Sequence, residues 1–352
     1  MDATVTIKTI AEKCGVSTAT VSVAKSTVSR VLNNSGYVGK ETREKIENVM
    51  REYNYSPSAM ARNLSKQESN AVGVVIPEAD NAFFGEVLRG ISDVVDENDL
   101  TLLFCNTCND LNKELNALKM LRNQRVRGLI LTPAAEYDTK ERIKNLRQAL
   151  KAINVPIIIL DRTIENSEWD SVSFDNYHGA YLATQTLINA GHKKIGVITG
   201  DQGLHIGRER YRGYLQAMSD HNIEHNSDYI YKGDFTSSTA YEITKKMLAN
   251  GDYPDAIFLS NNLTAIGFFK AFFEAGLEFG KDICCIGFDR VEALDLFNLN
   301  YSYVERDAVN MGRIAMNMLL DRIKNPKGSM LTRREYIIPA NLVLKGSEYR
   351  KL

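Results

Sequence analysis

Three polar side chains sit where apolar runs stop. Asp161 follows Ile157–Leu160, Asn261 follows Ala256–Ser260, and Asp289 follows Cys285–Phe288. If those runs are strands of open α/β sheets, their carboxyl ends face the crevice where such folds bind ligands. Two carboxylates and an amide in that place can clamp vicinal hydroxyls through charge-assisted hydrogen bonds. Phe83 and Phe84 follow Pro77 and the loop Glu78–Ala82, and Phe235 follows Gly233-Asp234. Aromatic rings beside convergent polar groups are the usual lining of a small-molecule site, where they stack on a sugar or a base.

The same inventory argues against catalysis and against a metal. The chain has no Gly-x-Ser-x-Gly elbow, no P-loop and no His-Glu-x-x-His, the arrangements that would mark a nucleophile, a phosphate cradle or a zinc hydrolase. His178, His192, His205, His221 and His225 show no ligand-like clustering, and His192 follows a helix C-terminus. Cys105-Asn-Thr-Cys108 has redox spacing, but Cys105 ends the strand-like run Thr101–Phe104 instead of opening a helix. Zinc would need a second ligand pair, and the adjacent Cys284 and Cys285 have the wrong spacing. With Cys14 the count is odd, and the N-terminus lacks a basic-then-apolar leader, so reduced structural thiols are expected. No enzyme activity, metal or cofactor is expected.

The elements that must position these residues alternate. Strand-like runs are Ala71–Ile76, Thr101–Phe104, Gly128–Leu131, Pro156–Leu160, Lys194–Ile198, Ala256–Leu259 and Cys284–Phe288. Amphipathic stretches separate them, such as Phe84–Val95, Lys113–Leu121, Gly179–Ala190 and Tyr211–Met218. Strands that read as continuous apolar runs between helices belong to parallel sheets covered on both faces. So many strands over residues 71–352 imply two sheets, hence two lobes. No apolar run approaches a membrane span, so a membrane partner is not expected.

Residues 1–55 carry no strand pattern. Thr6 can cap a first helix with Ile7, Ile10 and Ala11 at helical spacing, and Gly15 ends it before Ser17 caps the next. A later helix begins near Lys40 and carries Ile46, Val49 and Met50. Residues 56–70 form a linker in which Ser56-Pro57 can start a short helix of too few turns to stand alone. Residues 1–70 hold ten Lys/Arg against seven acids although the whole chain has a net charge of −1. A basic end on an otherwise acidic chain favours an anionic partner.

Gly15-Val16-Ser17, the run Thr27-Val-Ser-Arg-Val-Leu-Asn33, Tyr55-Ser56-Pro57, Ala61-Arg62-Asn63-Leu64 and Val72–Pro77 occur in that order. Together they strongly resemble the lactose-repressor family of bacterial regulators over nearly the whole chain. The resemblance implies an all-α helix-turn-helix headpiece (1–55), a hinge helix and linker (56–70), and a core (71–352) of two parallel-sheet α/β lobes like periplasmic sugar-binding proteins. It implies a dimer on a palindromic double-stranded DNA operator, controlled by a sugar or sugar phosphate, in the cytoplasm. Because the second helix of such a headpiece enters the major groove, Thr18, Ala19, Lys25, Ser26 and Arg30 are candidate base readers. Arginine can pair bidentately with guanine. Thr6, Ser17, Thr20, Ser22 and Asn33 resemble phosphate contacts, while Val21, Val28 and Val31 fit the core. Leu64, flanked by Arg62 and Asn63, occupies the place of the leucine that wedges into the minor groove and kinks DNA. Arg210 stands three residues before Gly213, as the family's effector arginine does, and joins Phe83, Phe84, Asp161, Asn261, Asp289 and Phe235 as expected effector contacts. The chain's end, soon after Asn341–Leu344, favours a dimer over a tetramer held by an added helix. The rival reading is an extracytoplasmic sugar-binding protein, disfavoured by the missing leader and the hinge motif.

One stretch departs from the family. Val16-Ser-Thr-Ala-Thr-Val-Ser22 is followed at once by Val23-Ala-Lys-Ser-Thr-Val-Ser29, and the two heptads agree at four positions. The family has one such unit. Seven helical residues advance about 10.5 Å and turn about 700°, nearly two full turns, so an inserted heptad keeps the same face inward. Either the recognition helix runs continuously from about Ser17 to Leu32, or the first unit becomes an extended turn and the second docks in its place. The absence of Gly and Pro from residues 18–33 favours the continuous helix.

Overall fold

The computed structural model describes residues 7–14, 27–31, 36–53, 69–137, 139–164, 166–325 and 332–350. The chain falls into two compact units, Met1–Ser69 and Asn70–Leu352.

In the first unit, helices Ile7–Lys13 and Lys40–Glu52 and a helical stretch at 27–31 enclose a small core. Ile10, Ala11, Cys14, Val28, Val31 and Ile46 are buried together, with Val49, Met50 and Tyr53 packed against them. Ile46, Val49, Met50 and Tyr53 recur at the three- and four-residue steps that place side chains on one helix face. Each fully buried branched side chain contributes about 1.5–3 kcal/mol.

The second unit holds two six-stranded sheets. β1 (Ala71–Ile76), β2 (Thr101–Asn106), β3 (Leu129–Leu131), β4 (Ile157–Leu160), β5 (Asp170–Phe174) and β11 (Glu335–Ile338) form one, in the order β11-β5-β4-β3-β1-β2. The other contains β6 (Ile195–Ile198), β7 (Ile230–Tyr231), β8 (Ala256–Leu259), β9 (Cys284–Phe288), β10 (Ser302–Glu305) and β12 (Asn341–Val343), in the order β12-β10-β9-β8-β6-β7. All pairings are parallel except β10 with β12. β1, β3, β4, β8 and β9 are wholly buried, because each sheet carries an apolar cluster on both faces. Among the described residues no helix is long and apolar enough to cross a membrane.

The seven expected strands are present, with β2 extending to Asn106. β5, β7, β10, β11 and β12 were not expected. The chain passes between lobes three times, near residues 174–176, 305–308 and 338–341, so β11 and β12 finish sheets begun much earlier.

Two close approaches set the geometry of what lies between the lobes. Helices Ala82–Glu97 and Ala308–Lys324 touch backbone to backbone, and a Cβ on Gly90 would lie 1.9 Å from the Val309 carbonyl oxygen. That contact brings the start of one helix, at Phe83, beside the residue that leads into the other, Arg306. Helices Asn176–Asn189 and His205–Asp220 meet in the same way at Gly213, where a Cβ would lie 2.2 Å from the Tyr177 oxygen.

Candidate functional site

Six of the seven side chains expected to meet a small molecule line one cleft. They are Phe83, Phe84, Asp161, Arg210, Phe235 and Asn261, joined by Glu78, Asn81, Arg162, Ile206 and Arg306. About 340 Å³ of space lies in the cleft when the open solvent at its mouth is counted. Asp289, the seventh, meets the cleft through Arg306.

Arg306 stands at the second crossing between lobes. Its Nε and Nη2 donate to the two Asp289 oxygens at 2.6 and 2.8 Å, and its Nη1 donates to Asp161 at 3.1 Å. Its guanidinium lies 3.7 Å from the Phe83 ring centroid. Burial works against its charge, but Asp289 and Asp161 outweigh that and hold it above the usual arginine value. The sequence reading missed Arg306. Its strand, Ser-Tyr-Val-Glu, mixes polar and apolar residues and does not read as a buried run.

Arg210 is placed by helix packing. Gly213 lies one turn along the same helix face and allows the close approach to the helix of Asn176. Arg210 Nε donates to Asn176 Oδ1 at 2.9 Å and Nη1 to the Ser260 oxygen at 2.5 Å. The Phe288 and Phe235 ring centroids lie 3.8 and 5.5 Å from its guanidinium carbon. Nη2 is buried without a hydrogen-bond partner among the described residues. Burial, then the charge of Arg306, pushes the Arg210 pKa down to about 9.

Asn261 is largely committed to the fold. Its Oδ1 accepts from the Thr264 N–H at 2.8 Å, capping helix Asn262–Glu274, and its Nδ2 donates to the Phe235 oxygen at 3.1 Å. It therefore orders the loop that presents Phe235. Asp161, Phe235 and Asp289 all have left-handed backbone, with φ of 60°, 70° and 70°. Such conformations cost non-glycine residues of order 1–3 kcal/mol each, and they gather where side chains must be aimed.

Phe83 and Phe84 lie in the first turn of helix Ala82–Glu97 and not in a loop. Asn81 caps that turn by accepting from the Phe83 N–H at 3.1 Å, and it also accepts from Asn262 Nδ2 at 3.1 Å across the cleft. A second bridge runs from Glu136 to the His205 N–H at 2.8 Å and to Arg208 at 3.0 Å. Arg162 donates to the Pro133 and Ala134 oxygens at 3.0 Å each and lies 3.7 Å from Glu78. Asn81 with Asn262, and Glu136 with His205 and Arg208, thus tie the two lobes together.

All five cysteines are free, and burial pushes Cys105 up, the opposite of what a redox or metal-binding thiolate needs. No group of three metal-ligating side chains occurs among the described residues.

Of the expected DNA contacts, Arg30 is the one within the described residues. It is exposed and runs beside Gly36, its Cδ 3.5 Å from where a Cβ there would lie. Val28 and Val31 face the headpiece core. Thr6, Ser17, Thr18, Ala19, Thr20, Val21, Ser22, Lys25, Ser26, Asn33, Arg62, Asn63 and Leu64 lie outside the described residues, as do the hinge and most of the duplicated heptad.

Two family profiles match the chain. One, described as the periplasmic binding proteins and sugar binding domain of the LacI family, covers residues 69–344. The other, the bacterial regulatory proteins of the lacI family, covers residues 23–58. The HTH-type transcriptional repressor PurR of Aliivibrio salmonicida is 33% identical over 320 residues, covering 91% of this chain and 92% of its own length. The PurR repressor of Haemophilus influenzae is 31% identical over 342 residues, covering 97% and 98%. Among solved structures, the lac repressor dimer bound to operator and an anti-inducer superposes with a TM-score of 0.82 at 25% identity, covering 98% of this chain and 99% of that one.

Proposed function

The chain belongs to the LacI family and is a DNA-binding transcriptional repressor with a sugar-binding core, and on that premise we propose that a sugar or sugar phosphate in the cleft sets its affinity for a palindromic operator. The lac repressor structure that the chain superposes on is a dimer bound to operator, and we infer the same assembly for this chain, working in the cytoplasm without catalysis. An extracytoplasmic binding protein is not favoured, since the regulator profile covers residues 23–58.

The observation that carries the effector reading is one cleft lined by Asp161, Arg210, Phe83, Phe84 and Phe235, to which Asp289 of the other sheet is joined through Arg306. A polyol that takes hydrogen bonds from both lobes favours the arrangement in which the lobes are close. Any ligand with different affinity for two arrangements shifts the population between them. A thermal-shift screen of pentoses, hexoses and their phosphates tests this. At least one should raise Tm and alter operator binding in gel shifts, and a purine base as the sole stabilising ligand would refute the sugar class.

For the headpiece, we infer that the second heptad, residues 23–29, is the unit that reads DNA. Val28 and Val31 belong to the buried core with Ile10, Ala11, Cys14 and Ile46, Arg30 stays exposed, and the family match begins at residue 23.

A further inference from the structure

We propose that Glu136 is a latch between the two lobes, capping from one lobe a helix of the other, and that buried Glu114 and Arg162 are the residues that position it. The inference goes beyond the effector reading and does not depend on which molecule the cleft takes.

Helix His205–Asp220 starts without a cap of its own. Leu204 stands at its N-cap position and makes no side-chain bond to the first turn, and that turn holds no acidic residue. The first amides of a helix need acceptors from outside it, and its N-terminus favours a negative charge. Glu136 supplies both from the other lobe. Its Oε2 accepts from the His205 N–H at 2.8 Å, and its Oε1 accepts from Arg208 Nη2 at 3.0 Å. Arg208 is aimed by two further bonds, from its Nη1 to the Gln202 and Gly203 oxygens at 3.2 and 3.1 Å.

The loop that presents Glu136 is fixed from beneath. Residues 132–137 follow β3 without regular structure, yet Thr132, Pro133, Ala134 and Tyr137 are buried. A buried loop must find partners for its backbone polar groups. Glu114, fully buried in helix Leu111–Asn123, spends both carboxylate oxygens here. One accepts from the Ala134 N–H at 2.6 Å and the other from the Tyr137 hydroxyl. Arg162 Nη1 donates to the Pro133 and Ala134 oxygens of the same loop. Burial raises the Glu114 pKa, and the bonds from Tyr137 and Ala134 and the charge of Arg162 pull against it. A carboxylate in such a place is costly unless it is hydrogen-bonded. Two buried charged side chains therefore converge on one short loop, and Glu136 is its residue with bonds to the other lobe. Arg162 also lines the cleft, so the support of the latch and the wall of the cleft share a side chain.

The test is hydrogen–deuterium exchange of the full-length protein, read by mass spectrometry. In Glu136→Ala the amides of residues 205–208 should exchange about tenfold faster, and those of residues 82–85 about threefold faster. The second segment reports the lobes parting, because Asn81 caps that helix and meets Asn262 of the other lobe, a contact in which Glu136 takes no part. Arg208→Ala should raise both segments, and the double variant should add little to Glu136→Ala, since both changes break one contact. Glu114→Gln and Arg162→Lys leave Glu136 and Arg208 in place and should still raise both segments, by about twofold. Amides of β1 and β8 should keep wild-type rates throughout, which controls for folding. Should Glu114→Gln fail that control, Tyr137→Phe, which withdraws one donor from Glu114, takes its place. A rise confined to residues 205–208 would make Glu136 a local cap and overturn the latch. Unchanged rates at residues 205–208 in Glu136→Ala would overturn the cap as well, and wild-type rates in the Glu114 and Arg162 variants would overturn their positioning role.

Discussion

Asp161 and Asp289 end strands of different sheets and share one counter-ion, the guanidinium of Arg306, at 3.1 Å and 2.6 Å. The link between the lobes is therefore ionic as well as covalent, and it sits where an effector must act.

Removing Arg306 leaves two buried carboxylates without their cation. Arg306→Ala is expected to destabilise the core by about 3–5 kcal/mol, the cost of breaking a buried pair from one side. Adding Asp289→Asn should recover part of that loss, since one uncompensated charge is then gone. Urea unfolding checks it. A loss below about 1 kcal/mol, typical of exposed pairs, would contradict the described packing.

Acid should act through Asp170. This buried residue accepts from Arg322 at 2.7 and 2.8 Å and from the Arg334 backbone N–H at 2.8 Å. Burial alone would raise its pKa, but those bonds outweigh it and hold the carboxyl below its ordinary value of 3.8. Because the folded value is depressed, the stabilisation is fully present above the unfolded value and is lost as pH falls through the folded one. Asp170→Asn should therefore cost about 3 kcal/mol at neutral pH, with the gap from wild type closing in acid below the ordinary value. A gap that stays constant with pH would count against this ion pair.

Leu296 and Phe297 are exposed at 78% and 76%, at the end of helix Glu292–Leu296, in which Leu294 alone is buried. Paired apolar exposure of this kind marks contact surface, and the chain works as a dimer. Phe297→Asp should raise the dimer dissociation constant about tenfold or more, a change of about 1.4 kcal/mol, measured by sedimentation. An unchanged constant would place the interface elsewhere.

How much of this was legible in the sequence depends on burial. Ala71–Ile76, Ala256–Leu259 and Cys284–Phe288 are buried on both faces, so each reads as an uninterrupted apolar run and its bounds are correct. β10, β11 and β12 are short and polar-mixed because they complete sheets near the crossings, and β7 is only two residues long. Asp161, Asn261 and Asp289 stand at the ends of legible strands, whereas Arg306 ends an illegible one. Arg210 was reachable only through its spacing to Gly213, whose physical basis, a helix contact with Tyr177, requires the fold. That Asn261 spends its amide on capping and on Phe235 is a tertiary fact with no trace in local spacing.

The duplicated heptad gives a test of headpiece register. Deleting residues 18–24 joins Gly15-Val16-Ser17 to Lys25-Ser26-Thr27-Val28-Ser29-Arg30 and shortens the connection to the family's length. If residues 23–29 are the reading unit, the deletion should tighten operator binding about tenfold, or 1.4 kcal/mol, and leave the preferred half-site unchanged. Equal affinity before and after would make the duplication silent. A changed half-site would mean that the first unit also reads bases, as a continuous recognition helix would require.

Sequence selection bears most directly on the central claim, that one chain couples operator recognition to an effector cleft. The purified protein is incubated with a random duplex library, with and without a sugar or sugar phosphate that raises its Tm, and bound DNA is sequenced. A two-fold palindromic motif should be enriched, and the effector should change its recovery for the wild type but not for Arg210→Ala. Recovery of DNA without any palindromic enrichment, or an effector response that survives in Arg210→Ala, would contradict it.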